Sequence, residues 1–238
     1  MKRVVAPKSK SYEHRFLICE LLSKLGEAGS LDAQGEPRAA SDLRRTAARP
    51  SEDIMATIDC ISKIQLSLMD GRSEVVLDCN QSGSTLRFLL PIVCALGLKA
   101  RFLMRGRLGK RPMDELINEL KVHGCNIDRE NDTICTSGKL EHGIFKLPGD
   151  ISSQYISGLL MALPLLEGDS EICVRKPLVS AGYIDMTLDV MRKFSIAVSE
   201  ESSGSEYIYR IKGGQRYIMT EKYIVEGDWS NSAFWFAV

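Results

Sequence analysis

Pro148-Gly149-Asp150-Ile151-Ser152-Ser153-Gln154-Tyr155-Ile156-Ser157-Gly158-Leu159-Leu160-Met161-Ala162-Leu163 is the stretch that decides how this chain is read. Pro-Gly-Asp is turn chemistry. Beyond it, apolar residues fall at Ile156, Leu159, Leu160 and Leu163, which is one helical stripe. A helix therefore begins near Ser152, and its first turn is Ser-Ser-Gln, neutral and hydrogen-bonding. The first backbone N–H groups of a helix have no partner inside it and carry partial positive charge. Hydroxyls and an amide beside them suit an anion, phosphate above all. Taken alone, the serine pair also reads as a plain N-cap, a hydroxyl oxygen accepting from the helix backbone.

Two further helix starts tip the balance toward an anion. Lys10-Ser11-Tyr12-Glu13-His14-Arg15 leads into a stripe of Ile18, Leu21, Leu22 and Leu25, closed by Gly26. Basic residues are disfavoured at this end of a helix, so the cluster is either a solvated end or one compensated by a bound anion. Asn80-Gln81-Ser82-Gly83-Ser84-Thr85-Leu86-Arg87-Phe88 carries a strand through a Ser/Gly turn into a helix with Leu86, Leu89, Leu90 and Val93. Gly83 lets the backbone approach a ligand closely, Arg87 sits one turn in, and Pro91 is expected to kink the helix. The spacing matches neither a Walker P-loop nor a dinucleotide fingerprint. Helices starting at Ser11, Ser84 and Ser152 interleave with a second series at Glu52, Pro112 and Tyr183. The loosely constant spacing points to one α/β supersecondary unit used three times. The same hydroxyl chemistry at the same place in each repeat outweighs simple capping.

The remainder fits this alternation. Residues 27–50, rich in Ala and Arg, read as a loop or insertion. Ser51 caps the helix of Ile54, Ile58 and Ile61. Strands are expected over 74–79, 99–103 and 172–175, around Ile127 and Ile134, and over 207–211 and 217–225. Arg105-Gly106-Arg107-Leu108-Gly109-Lys110-Arg111-Pro112 is the most basic stretch, with Pro112 suited to the first helical position and Arg111 a fork of donors for carboxylate or phosphate. Ser180-Ala181-Gly182-Tyr183-Ile184-Asp185 opens another helix, and Asp228-Trp229-Ser230 a last one, inside which the sequence stops.

Composition narrows the function. The 238 residues are 44% hydrophobic and 26% charged, an ordinary globular balance. Lys+Arg and Asp+Glu are both 31, so there is no general attraction to nucleic acid or membrane, and an anion site must be local. Seven cysteines without a Cys-x-x-Cys pair fit reduced, packed thiols in a cytoplasmic protein. No apolar run is long enough to span a membrane. His14, His123 and His142 are too scattered for a metal site.

Lys10-Ser11-x-x-x-Arg15, Ser82 to Phe88, Arg111-Pro112, Gly149 to Gln154, Ser180-x-x-Tyr183-Ile184-Asp185 and Gly227-Asp228-Trp229-Ser230, in this order, together resemble the 5-enolpyruvylshikimate-3-phosphate synthase family. The resemblance implies a two-domain α/β fold, each domain built from three βαβαββ units with pseudo-threefold symmetry. It implies transfer of the enolpyruvyl group of phosphoenolpyruvate to the 5-hydroxyl of shikimate 3-phosphate, without a metal or organic cofactor. Carried over residue by residue, Lys10, Ser11, Arg15, Ser152, Ser153, Ser180 and Tyr183 hold shikimate 3-phosphate, and Gln154 lies between the two substrates. Lys10, Gly83 and Arg111 contact phosphoenolpyruvate, and Asp228 is the general base. Residues 1–9 are then a short hinge segment, 10–223 the substrate-binding domain, and 224–238 the hinge and start of a second domain that is absent here. That domain is expected to be needed for a complete site.

The pattern departs from the family in several places. The strand usually preceding Lys-Ser is absent or very short, and 27–50 bears no likeness. Gln81 stands where many relatives carry Asn, and Ser195 replaces a Gly after Phe194. A related transferase acting on a UDP-sugar shares the fold but lacks the Ser-Ser-Gln and Asp-Trp-Ser signatures. A non-catalytic phosphosugar-binding module is the other alternative.

Overall fold

A computed structural model describes residues 8–27, 50–220 and 225–228. The expected loop over 28–49 and the helix after Asp228 lie outside these residues. Helix α1 (Lys10–Glu27) and helix α2 (Glu52–Asp70) come first. Two units of identical order follow. The first is β1 (Val75–Asp78), α3 (Gly83–Ala95), β2 (Ala100–Leu103), α4 (Asp114–Val122), β3 (Cys125–Glu130) and β4 (Thr133–Gly138). The second is β5 (Ile144–Pro148), α5 (Ser153–Ala162), β6 (Ser170–Arg175), α6 (Ala181–Lys193), β7 (Val198–Ser203) and β8 (Glu206–Ile211).

The repeat extends to the hydrogen bonding. The sheets run β1-β2-β4-β3 and β5-β6-β8-β7. In each, the first two strands are parallel and the other pairings antiparallel. Both are therefore βαβαββ units. Among the described residues the first unit is represented by α1 and α2 alone, and residues 71–74 between α2 and β1 leave no room for a strand pair.

Two local expectations change, the start of α4 and the strand over 217–220. Helix α4 starts at Asp114, with Pro112 outside it. The Pro112 carbonyl is instead turned inward, accepting from Arg87 Nη2 at 3.1 Å and from the Tyr155 hydroxyl at 2.5 Å. Residues 221–224 of the expected strand lie outside the described residues, and 217–220 form no strand. They cross the helix ends, with the buried Tyr217 hydroxyl donating to Met161 O at 2.7 Å and Ile218 N to Phe194 O. Pro91 lies inside helix α3, where it ends no helix. Ser195 adopts φ 62°, the left-handed region that favours glycine and strains a side chain.

The helices α3 and α5 form the centre. In α3 every residue but Ser84 is buried, and in α5 every residue but Gln154. A helix apolar all round can only sit inside. α5 packs against α3 and α6, while α1 packs against α2, α3 and α6. The crossing of α3 and α5 is close at Gly158, where an added Cβ would lie 2.4 Å from Arg87 O and 3.0 Å from Pro91 Cγ. Pro91 lacks the N–H that would bond this carbonyl four residues back, so Arg87 O is open to the neighbouring helix.

A polar chain crosses the core beside this contact. His14 Nδ1 lies 2.8 Å from Thr57 Oγ1, Thr57 is 2.7 Å from Thr85 Oγ1, and Thr85 donates to Ser82 Oγ at 2.7 Å. Ser82 also caps α3. His14 is buried, and burial pushes its pKa from 6.5 down to about 3, with Lys10 and Arg15 acting the same way against Asp53.

Two measurements test this packing. Gly158→Ala forces a Cβ into backbone and should destabilise the protein by about 1–3 kcal/mol or more; an unchanged midpoint in urea would contradict the close crossing. The unfolded chain protonates His14 below pH 6.5 while the folded chain resists until about 3, so stability falls as pH drops through that window. His14→Asn should flatten that limb by about 1.4 kcal/mol per pH unit. Parallel stability–pH curves would contradict a buried neutral imidazole.

Candidate functional site

The starts of α1, α3, α5 and α6 open on one cleft of about 340 Å³. α1 contributes Lys10, Ser11, His14 and Arg15; α3 contributes Ser84 and Arg87. Ile151, Ser152, Ser153 and Gln154 come from the start of α5, and Val179, Ser180 and Tyr183 from that of α6. Eight of the residues expected at the site therefore meet: Lys10, Ser11, Arg15, Ser152, Ser153, Gln154, Ser180 and Tyr183.

Their states differ. Ser152 is the N-cap of α5, its Oγ accepting from Gln154 N at 3.3 Å, so the capping reading holds for it. Ser153 is buried in the first turn. Ser180 stands before α6 at φ 63° and makes no capping bond, which leaves its hydroxyl for the cleft. Lys10 does not wait for an anion: its Nζ lies 2.5 Å from Asp53 Oδ2 at the start of α2. The expected compensation of the basic end by a ligand is thus met, for Lys10, by a carboxylate of the protein.

Arg15 is 2% exposed and works as a hub. Nε donates to Thr187 Oγ1 at 2.7 Å, Nη1 to Ser11 O at 2.7 Å, and Nη2 to Tyr183 O at 2.9 Å and Ser157 Oγ at 3.3 Å. The guanidinium also lies 4.9 Å from the centre of the Phe88 ring. Four of its five donors are used within the protein, and one N–H on Nη1 is left for a ligand. Burial lowers its pKa to about 10, so it remains charged at neutral pH. Among the described residues no carboxylate pairs with it.

Gly83 and Arg111 form an adjoining mouth. A Cβ on Gly83 would sit 2.7 Å from Arg111 Nη1 and 3.2 Å from Arg87 Nη1. With no Cβ there, both guanidinium groups fit over the start of α3 as they stand, and a side chain would push them aside. Among the described residues the Arg111 side chain has no hydrogen bond or ion pair. Asp228 does not line the cleft. Lys8 bridges Gly227 and Ser9 N donates to Glu226 O at 2.8 Å, which brings Asp228 beside the entry to α1.

Sequence reasoning left out His14, Ser84 and Arg87 as site residues. Arg87 and Ser84 stood in a motif already singled out, one helical turn apart on the face aimed at the cleft. His14 has no such signal, because its place follows from Thr57, far away in sequence. Among the described residues no three His, Cys, Asp or Glu side chains gather to hold a metal, and no helix is long and apolar enough to cross a membrane.

Comparison with known proteins gives a consistent picture. A profile of the EPSP synthase (3-phosphoshikimate 1-carboxyvinyltransferase) family matches residues 2–238. The 3-phosphoshikimate 1-carboxyvinyltransferase of Clostridium perfringens (strain SM101 / Type A) is 38% identical over 253 residues, covering 98% of this chain and 54% of that protein. The same-named protein of Clostridium botulinum (strain Alaska E43 / Type E3) is 39% identical over 242 residues, covering 97% and 53%. Two structures of EPSP synthase from Acinetobacter baumannii superpose with TM-scores of 0.67 and 0.69 at 20% and 18% identity. They cover 98% of this chain and 51% and 52% of theirs, and they bear on the fold. The chain spans about half the length of the curated relatives it matches. With a match running from residue 2 to residue 238, and a fold shared with solved members, the chain belongs to the EPSP synthase family.

Proposed function

We propose that this chain forms the shikimate 3-phosphate side of an enolpyruvyl transferase site. The observation that carries the reading is the convergence of four helix starts, with buried Arg15 and Arg87, on one cleft. Helix N-termini and donors without carboxylates attract an anion.

In this reading Ser11, Ser153 and Ser180 take the phosphate, with Lys10 and the remaining Arg15 N–H. Ser152 bears on it through the cap it gives α5. Tyr183 lies against the cyclohexene ring of shikimate 3-phosphate and Gln154 between the two substrates. Gly83 and Arg111 receive phosphoenolpyruvate, whose carboxylate and phosphate both need cations. Asp228 removes the proton of the 5-hydroxyl, whose oxygen bonds to C2 of the enolpyruvyl group as C3 takes up a proton; loss of a proton from C3 then re-forms the double bond as the C2–O bond to phosphate breaks. The hinge pairing of Lys8 with Gly227 supports such a position for Asp228. Turnover requires charges on the far side of phosphoenolpyruvate and exclusion of water. The relatives are about twice as long, and the proposal places those charges in the other half. The two substrates are then the small-molecule partners, and the chemistry runs in the cytoplasm.

Calorimetry on the 238-residue chain tests the assignment. Shikimate 3-phosphate should bind, and Lys10→Ala should weaken it roughly tenfold or more, the loss of a hydrogen bond to a charged group being about 1.5–3 kcal/mol. Arg111→Ala should weaken phosphoenolpyruvate by a similar factor, and Arg192→Ala, on the outer face of α6, should change neither. An absence of shikimate 3-phosphate binding, or equal small effects from all three variants, would overturn the assignment. The chain alone should release no phosphate from the two substrates; robust turnover would contradict the division of charges between halves.

A further inference from the structure

Arg87 has no part in the ligand set above, yet its surroundings are the most constrained in the cleft. Its side chain is nearly buried, and 5.5 Å separates the guanidinium from the centre of the Tyr155 ring. Nη1 donates to Gln154 Oε1 at 2.8 Å and Nη2 to Pro112 O at 3.1 Å, while Nε is buried without a partner. No carboxylate pairs with it among the described residues. Instead its charged neighbour is Arg111, over the same glycine. The two groups are at most about 6 Å apart, close enough for like charges to repel.

An arginine side chain has donors and no acceptor. The Gln154 amide therefore has one orientation. Its oxygen must face Arg87, and its nitrogen then faces Ser84, to which it donates at 2.8 Å. Flipped, the NH2 group would meet a guanidinium donor. Of the two amide N–H bonds one goes to Ser84 Oγ, and the other is left toward the cleft that Gln154 lines.

We propose that Arg87 is the positioning residue of this cleft: it locks the Gln154 amide so that a N–H donor is turned on the ligand. The inference rests on the anion reading of the cleft and deepens it. Gln154 then takes a ligand oxygen that accepts, a carboxylate or phosphate oxygen best of all, and rejects a group that has donors alone.

The test uses the whole chain, with inorganic phosphate as probe. In a ¹⁵N–¹H spectrum the Gln154 side-chain pair is identified by its loss in Gln154→Glu. It should be a resolved pair, slow to exchange with water. Arg87→Met should bring its exchange rate to that of a solvated amide, and Arg87→Lys, which keeps one donor, should restore part of the protection. Gln154→Glu keeps the shape, exchanges the donor for an acceptor and gains an ion pair with Arg87. Its melting temperature should hold or rise while phosphate affinity falls tenfold or more. A Gln154 pair unaffected by Arg87→Met, or a Gln154→Glu chain that binds phosphate as the wild type does, would overturn the proposal. If Arg87→Met does not fold, Arg87→Lys decides: exchange of the Gln154 pair faster than in the wild type is expected, and unchanged exchange overturns the proposal. If the wild type binds phosphate but not shikimate 3-phosphate, the functional assignment falls and this inference stands; if it binds neither, the donor is aimed at no anion and the inference falls with it.

Discussion

The backbone carbonyl of Arg87 faces Gly158, and the site depends on that contact. Pro91 removes the N–H that would have satisfied this oxygen within α3. Gly158 removes the Cβ that would have kept α5 away, since any side chain there would start 2.4 Å from the oxygen. Two helices that are buried on all sides can then cross with their first turns side by side. Ser84 and Gln154, their two partly open residues, meet as a consequence, and Arg87 lies beneath the amide. Proline and glycine, both poor helix formers, are thus placed where helix geometry matters most.

The same packing concentrates positive charge in a chain whose net charge is zero. Among the described residues Arg15 and Arg87 are buried away from carboxylates, and the exposed Arg111 lies beside Arg87 over the bare backbone of Gly83. Isolated buried charge is unfavourable. Arg15 offsets this with hydroxyl and carbonyl oxygens from α1, α5 and α6 and with an aromatic face. His14, held neutral, adds no further charge. Of these cations only Lys10 has a carboxylate partner among the described residues, and that pair is partly exposed, so it can exchange Asp53 for a ligand at little cost.

The element order was largely legible because each helix of the two complete units carries a clear apolar stripe and a turn signal before it. What periodicity missed is physically understandable. β7 reads Val-Ser-Glu-Glu-Ser-Ser and is an exposed edge strand, with almost no apolar residues to announce it. The alternation of 217–225 suggested a strand, but Tyr217 serves a helix end instead. Pro112 looked like a helix start until its carbonyl proved to be needed by Arg87 and Tyr155. The recurrence of hydroxyls at helix starts pointed to a shared site, and eight residues do converge. The spacing of residues along the chain could not show that Asp53 already neutralises Lys10, nor that Arg15 spends most of its donors on the protein. Those facts depend on which helices are neighbours.

The central claim is that helix crossing alone assembles an anion site from distant serines. A crystal structure of the 238-residue chain grown with shikimate 3-phosphate tests it most directly. The account predicts the phosphate between the starts of α1, α5 and α6, within hydrogen-bonding distance of Ser11, Ser153 and Ser180, with the Gln154 amide still held by Arg87. Ligand bound elsewhere, or helix starts that open on different faces, would contradict it.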